Sequence, residues 1–127
     1  MSEAEIIQFA GRKCDIDIEK YLTVVRGKTA SLFRACLKSS AIISGLDTDM
    51  SENFAENFGI LFQINNDLSP ESVENDNQNF TKTAVNIIGI EKTLDLKDNY
   101  KEELSKILVN IPENKYKAGI EDLIKLL

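Results

Sequence analysis

The 127-residue chain has no histidine, only two cysteines and two prolines, and no lysine or arginine between Ser39 and Phe80. Without histidine there is no imidazole general base and no Ser-His or Cys-His nucleophile, so any chemistry rests on carboxylates, lysine or a metal held by oxygen. Cys14 and Cys36 have no nearby cysteine or histidine to complete a zinc site, and they read as reduced thiols packed on helices. No apolar run approaches the roughly eighteen residues that a membrane span takes. The first residues, Met1-Ser2-Glu3-Ala4-Glu5, carry neither a basic region nor a long apolar stretch, so no secretory signal is expected and the expected location is cytoplasmic. The stretch without cations holds Asp47, Asp49, Glu52, Glu56, Asp67, Glu71, Glu74 and Asp76, and the net charge is −6. Nucleic acid is an unsuitable partner for such a surface, because phosphates require a basic footprint. Two readings of the acidic stretch stay open, a gathering point for divalent cations and a solvated face.

What is present is globular, with 43% apolar and 28% charged residues. Residues 1–127 are therefore expected to form a single helical domain. Pro70 and Pro112 fall where the sequence turns polar and mark boundaries. Ser2 followed by Glu5 has the form of a capping box and predicts a short helix toward Gly11. Asp17 caps a longer one, along which Leu22, Val25, Thr29, Leu32, Cys36, Ser40 and Ile43 recur at helical spacing up to Gly45. Met50 to Asn66 predicts a third helix with Phe54, Phe58, Leu61 and Phe62 on one side. Residues 69–80 are polar and rich in turn formers and read as a mobile loop. Helices over Thr81–Ile90, Asp95–Ile111 and Asn114–Leu127 complete the set, although Val85, Ile87, Ile88 and Ile90 also have strand character.

Two helix faces are candidates for chemistry. Val24, Lys28, Ser31, Ala35 and Ile42 lie along one line, with Lys28 the only charge among small neighbours. That lysine either meets an anionic ligand or snorkels to water. On the third helix Gly59, Gln63, Asn66 and Asp67 share a face, either a binding face or the solvent side of an amphipathic helix.

These segments also read as words. Tyr21-Leu22-Thr23-Val24-Val25-Arg26-Gly27-Lys28-Thr29-Ala30-Ser31-Leu32-Phe33 resembles the Y-x-x-x-x-x-x-K-T-A-x-L-F segment of trans-isoprenyl (polyprenyl) diphosphate synthases. Gly59-Ile60-Leu61-Phe62-Gln63-Ile64 is similar to the G-x-x-F-Q-I segment before their second aspartate-rich motif. Ala4-Glu5-Ile6-Ile7-Gln8 resembles their acidic E-x-x-Q helix. The resemblance implies an all-α fold, the C-terminal portion of an isoprenoid (terpenoid) synthase-like helical bundle. It implies a prenyltransferase that joins isopentenyl diphosphate to an allylic diphosphate held by Mg²⁺. By the same resemblance Lys28, Thr29, Gln63 and Lys82 fall at diphosphate-binding positions, with Asp67 and Asn66 at metal positions. A leaving group of about three negative charges needs such cations in a site from which water is excluded.

The departures are equally specific. Where the family has D-D-x-x-D, this chain reads Asn66-Asp67-Leu68-Ser69-Pro70, one carboxylate of three. The following D-x-x-x-G-K-x-T pattern becomes Asp76-Asn77-Gln78-Asn79-Phe80-Thr81-Lys82-Thr83, its lysine displaced by one position. The first aspartate-rich motif is expected upstream of the E-x-x-Q helix, where this sequence starts. The chain is therefore expected to be inactive alone, whether as a piece of a longer frame, a separate subunit or a decayed paralogue. A helix wall lacking its covering favours homo- or hetero-oligomers. The alternative is a non-catalytic helical subunit or interaction module.

Overall fold

The computed structural model describes residues 1–12, 14–78 and 81–127, and among these it contains helices and turns but no strand. The elements are α1 (Ser2–Gly11), α2 (Ile18–Val25), a π-helical turn (Arg26–Ala30), α3 (Ser31–Ser44), α4 (Thr48–Asp67), α5 (Pro70–Gln78), α6 (Ala84–Ile88), α7 (Ile90–Val109) and α8 (Lys117–Leu126).

Helix ends follow local chemistry. Asp17 caps α2 by accepting from the Lys20 amide at 2.8 Å. Asp47 accepts from the Asp49 and Met50 amides, so α4 opens earlier than the hydrophobic pattern suggests. Gly45, at φ +66°, closes α3 in a left-handed conformation that returns the Leu46 amide to Ala41 O. The expected capping box at Ser2 does not form. Met1 is the N-cap of α1, and the Glu5 carboxylate turns to Lys28 instead. Gly89, at φ +83°, divides the single helix expected over 81–90 into the end of α6 and the start of α7.

The expected mobile loop at 69–80 is helical over Pro70–Gln78. Pro70 stands at the first helical position, where its missing N–H costs nothing, and the Ser69 hydroxyl and carbonyl take the Ser72 and Val73 amides. Polar composition hid a well-formed helix start.

The π-turn decides the packing of the long second helix. It inserts one residue into an otherwise continuous run from Ile18 to Ser44, so the buried face shifts by one position after Arg26. Tyr21, Leu22 and Val25 are buried before it, and Ala30, Phe33 and Ala41 turn inward after it. The expected stripe therefore fails beyond Thr29. Leu32 is 58% exposed and Ile43 86% exposed.

α4 forms the centre. Ile60 and Ile64 join Tyr21, Leu22, Val25 and Ala84 in one apolar cluster, while Phe58 and Leu61 join Leu104, Leu108 and Ile124 in a second. Tyr100 on α7 packs against both. The anticipated Phe stripe is split, with Phe58 buried and Phe62 largely outside. Phe33 meets Phe58 edge-on at 5.2 Å. At Gly59 the backbone of α4 comes so close to the π-turn that a Cβ would lie 2.6 Å from Ala30 Cα. Glycine there permits a contact that sets Thr29 against the next turn of α4.

Candidate functional site

A cavity of about 320 Å³ opens beside the π-turn, bounded by α1, the later part of α2, the last turn of α4, α5 and the Thr81–Thr83 stretch. Lys28, Thr29, Gln63, Asn66, Asp67 and Lys82, chosen from sequence, all line it. So do Gln8, Arg12, Tyr21, Ser72 and Asp76. The size falls in the range of small-molecule sites.

A chain of hydrogen bonds crosses this cavity wall. Thr29 Oγ1 donates to Gln63 Oε1 at 2.9 Å, and Gln63 Nε2 donates to Asp67 Oδ1 at 2.8 Å. Tyr21 OH donates to Asp67 Oδ2 at 2.6 Å. The Ala84 amide, at the start of α6, lies close enough to the same carboxyl group to favour its charged form. A carboxylate only accepts, which orients Gln63 with its nitrogen toward Asp67 and its oxygen toward Thr29. Asp67 is 2% exposed. Burial pushes its pKa up, and the bonds from Tyr21 and Gln63, with the Ala84 amide, pull it back down. The Tyr21 phenol is held far above its ordinary value, first by burial and then by the neighbouring Asp67 charge.

Lys28 sits at the cavity edge, its Nζ 2.9 Å from Glu5 Oε1 and 2.9 Å from Gln8 Oε1. Burial raises the pKa of Asp76 and the Lys28 charge opposes that rise. Lys82 lines the cavity without an ion pair among the described residues, and Arg12 lies over the Phe9 ring. Sequence reasoning gave no role to Tyr21, although it opens the quoted Y-x-x-x-x-x-x-K segment, and Arg12 stands in no motif at all.

The polyprenyl synthetase family profile matches residues 1–86, a span that contains every residue lining this cavity. The chain belongs to the polyprenyl synthetase family. Among curated relatives it is 38% identical over 58 residues to solanesyl-diphosphate synthase 2, chloroplastic, of Oryza sativa subsp. japonica. It is 40% identical over 58 residues to solanesyl diphosphate synthase 1, chloroplastic, of Arabidopsis thaliana. Each alignment covers 43% of this chain and 14% of the relative, so the match spans a small part of those proteins. A decaprenyl diphosphate synthase from Rhodobacter capsulatus superposes with a TM-score of 0.74 at 20% identity, over 98% of this chain and 54% of that one. The fold is thus the all-α isoprenoid synthase fold expected from the sequence.

This polyprenyl synthetase chain was expected to offer Asp67 and Asn66 to Mg²⁺, and their surroundings do not suit that ion. Mg²⁺ requires near-octahedral oxygens at about 2.0–2.1 Å and keeps several waters. Asp67 has about four lone-pair positions, and each of its oxygens takes a protein hydrogen in a water-poor setting. Releasing the Tyr21 and Gln63 bonds costs about 1.5–3 kcal/mol each. Asn66 Oδ1 accepts from Ser72 at 3.3 Å. Among the described residues no three Asp, Glu, Cys or His side chains converge in a metal-binding cluster, and no buried side-chain polar atom is left unpartnered.

No described helix is long and apolar enough to cross a membrane. Cys14 and Cys36 are free thiols, both at the surface rather than packed.

Proposed function

We propose that the chain serves isoprenoid biosynthesis as the diphosphate-holding wall of a prenyl-transfer site, and that alone it binds isoprenoid diphosphates without condensing them. One observation carries this reading: Lys28 with Thr29, Gln63 and Lys82, from three separate stretches of the sequence, line a single cavity with Arg12. Ammonium and guanidinium groups beside a fixed polar wall are the chemistry that grips a polyanion. The expected inactivity rests on Asp67, whose oxygens are already engaged by neighbours.

Thermal unfolding in the presence of inorganic pyrophosphate tests the binding. The wild-type chain gains stability as the ligand is added, and Lys28→Ala loses that gain. A radiolabelled isopentenyl diphosphate assay with farnesyl diphosphate then yields no longer product from the chain alone. Product formation would contradict the inactivity, and indifference of the melting point to pyrophosphate would contradict the binding.

A second reading, a non-catalytic interaction module that assembles into oligomers, is favoured by the outer face of α3. Leu32, Ile42, Ile43 and, just beyond the helix, Leu46 are all exposed. A face of that composition favours association. Light scattering after size exclusion distinguishes a monomer from an assembly, and insensitivity to diphosphate in an assembled form supports this reading over the first.

A further inference from the structure

We infer that this cavity grips its phosphate polyanion directly, through its own cationic side chains, and does not use a divalent metal to do so. The inference rests on the diphosphate-binding reading above and adds the chemistry by which the site works.

Three observations converge. The carboxylate at the centre of the wall, Asp67, receives Tyr21 OH on one oxygen at 2.6 Å and Gln63 Nε2 on the other at 2.8 Å. With one bond on each oxygen and 2% of the residue exposed, the carboxylate is a poor ligand for an ion that carries a shell of waters. Asn66 Oδ1 already accepts from the Ser72 hydroxyl at 3.3 Å, which leaves Asp76 as the one other carboxylate lining the cavity among the described residues. The same cavity is lined by three cationic side chains, Arg12, Lys28 and Lys82, against two carboxylates, Asp67 and Asp76. Hydrogen bonds already spread the charge of Asp67, and Glu5 balances Lys28 from outside the lining until a stronger anion takes its place.

The arrangement divides the labour differently from a metal site. The Tyr21–Asp67–Gln63–Thr29 chain holds the polar wall in one geometry, and the lysines and arginine supply the attraction. Lys28 stays partly exposed, with 40% of its side chain open, so its bond to Glu5 is of the exchangeable surface kind. An incoming phosphate oxygen replaces the Glu5 carboxylate without stripping a buried charge.

The test is calorimetric titration of inorganic pyrophosphate into the chain, once in EDTA and once in MgCl₂. Binding in EDTA at least as tight as in MgCl₂ is the expected result, and Lys28→Ala combined with Lys82→Ala weakens it about tenfold or more. Binding that appears only with Mg²⁺, or that Mg²⁺ tightens by about tenfold, overturns the inference and leaves the diphosphate reading standing. Absence of binding under both conditions removes the diphosphate reading itself. An independent readout uses Mn²⁺ as a paramagnetic probe with pyrophosphate present. The Gln63 side-chain amide and the Ala84 backbone amide are expected to keep sharp NMR signals, and selective broadening of these two signals overturns the inference.

Discussion

Tyr21→Phe removes a single oxygen and leaves the ring in its buried place, so it isolates the bond to Asp67. A hydrogen bond to a charged acceptor contributes about 1.5–3 kcal/mol, and one between neutral groups about 0.5–1.5 kcal/mol. For 127 residues the unfolding entropy near the midpoint is about 0.27 kcal/mol/K, so the variant should melt about 6–11 °C lower at neutral pH. The pH dependence has a definite sign. Burial raises the pKa of Asp67, so over a window from about pH 4 up to that raised value the folded chain holds a proton the unfolded chain has released. Stability therefore falls as pH climbs through the window. Tyr21 lowers the pKa of Asp67, so removing its hydroxyl extends the window upward. The variant should lose more relative to wild type at pH 8 than at pH 5, which lies nearer the foot of the window. Urea titrations followed by circular dichroism at both pH values give the difference. A loss of equal size at both, or one under about 0.5 kcal/mol, refutes the charged bond.

Other substitutions probe the frame around the site. Gly59→Ala forces a Cβ to within 2.6 Å of Ala30 Cα and should cost about 1–3 kcal/mol in urea unfolding while also weakening pyrophosphate binding, because it pushes Thr29 away from Gln63. Leu104→Ala empties a fully buried position between α4 and α8 and should cost about 2–5 kcal/mol in the same assay, with pyrophosphate affinity retained. Gly45→Ala meets nothing within 4 Å but must hold φ +66°, so a loss of about 1 kcal/mol by urea unfolding is expected from backbone conformation alone.

Much of the frame was legible because it is written locally. Asp17 and Gly45 carry their capping chemistry in their own side chains or lack of one, and the helices they bound lie where the pattern puts them. Lys28, Thr29, Gln63 and Asp67 were legible as motif words, not as periodicity, since spacing alone left their faces open to a solvent reading. Two features were invisible for physical reasons. The state of Asp67 depends on Tyr21, 46 residues away, so only folding shows that the carboxylate is engaged. Residues 70–78 have the composition of a loop, and weighing polarity over the Ser69-Pro70 start concealed a helix that lines the cavity.

The π-turn left no local mark, yet it explains both the failed stripe and the site. Before it, Tyr21 and Val24 line the cavity at the spacing that leads to Lys28, and after it the core is met by Ala30, Phe33 and Ala41. Deleting Gly27 would restore an unbroken α-register, in which Ala30, Phe33 and Ala41 follow Leu22 and Val25 at ordinary three and four residue steps. The two buried faces would then join without a break. Lys28 would turn by about 100° relative to α2, away from the line of Tyr21 and Val24. Helical content by circular dichroism is therefore expected to persist in the deletion variant, while pyrophosphate affinity falls about tenfold or more. Retained affinity would show that the wide turn does not aim Lys28. Loss of the folded state would instead make it a requirement of the packing, including the close contact of Gly27 with Ala4.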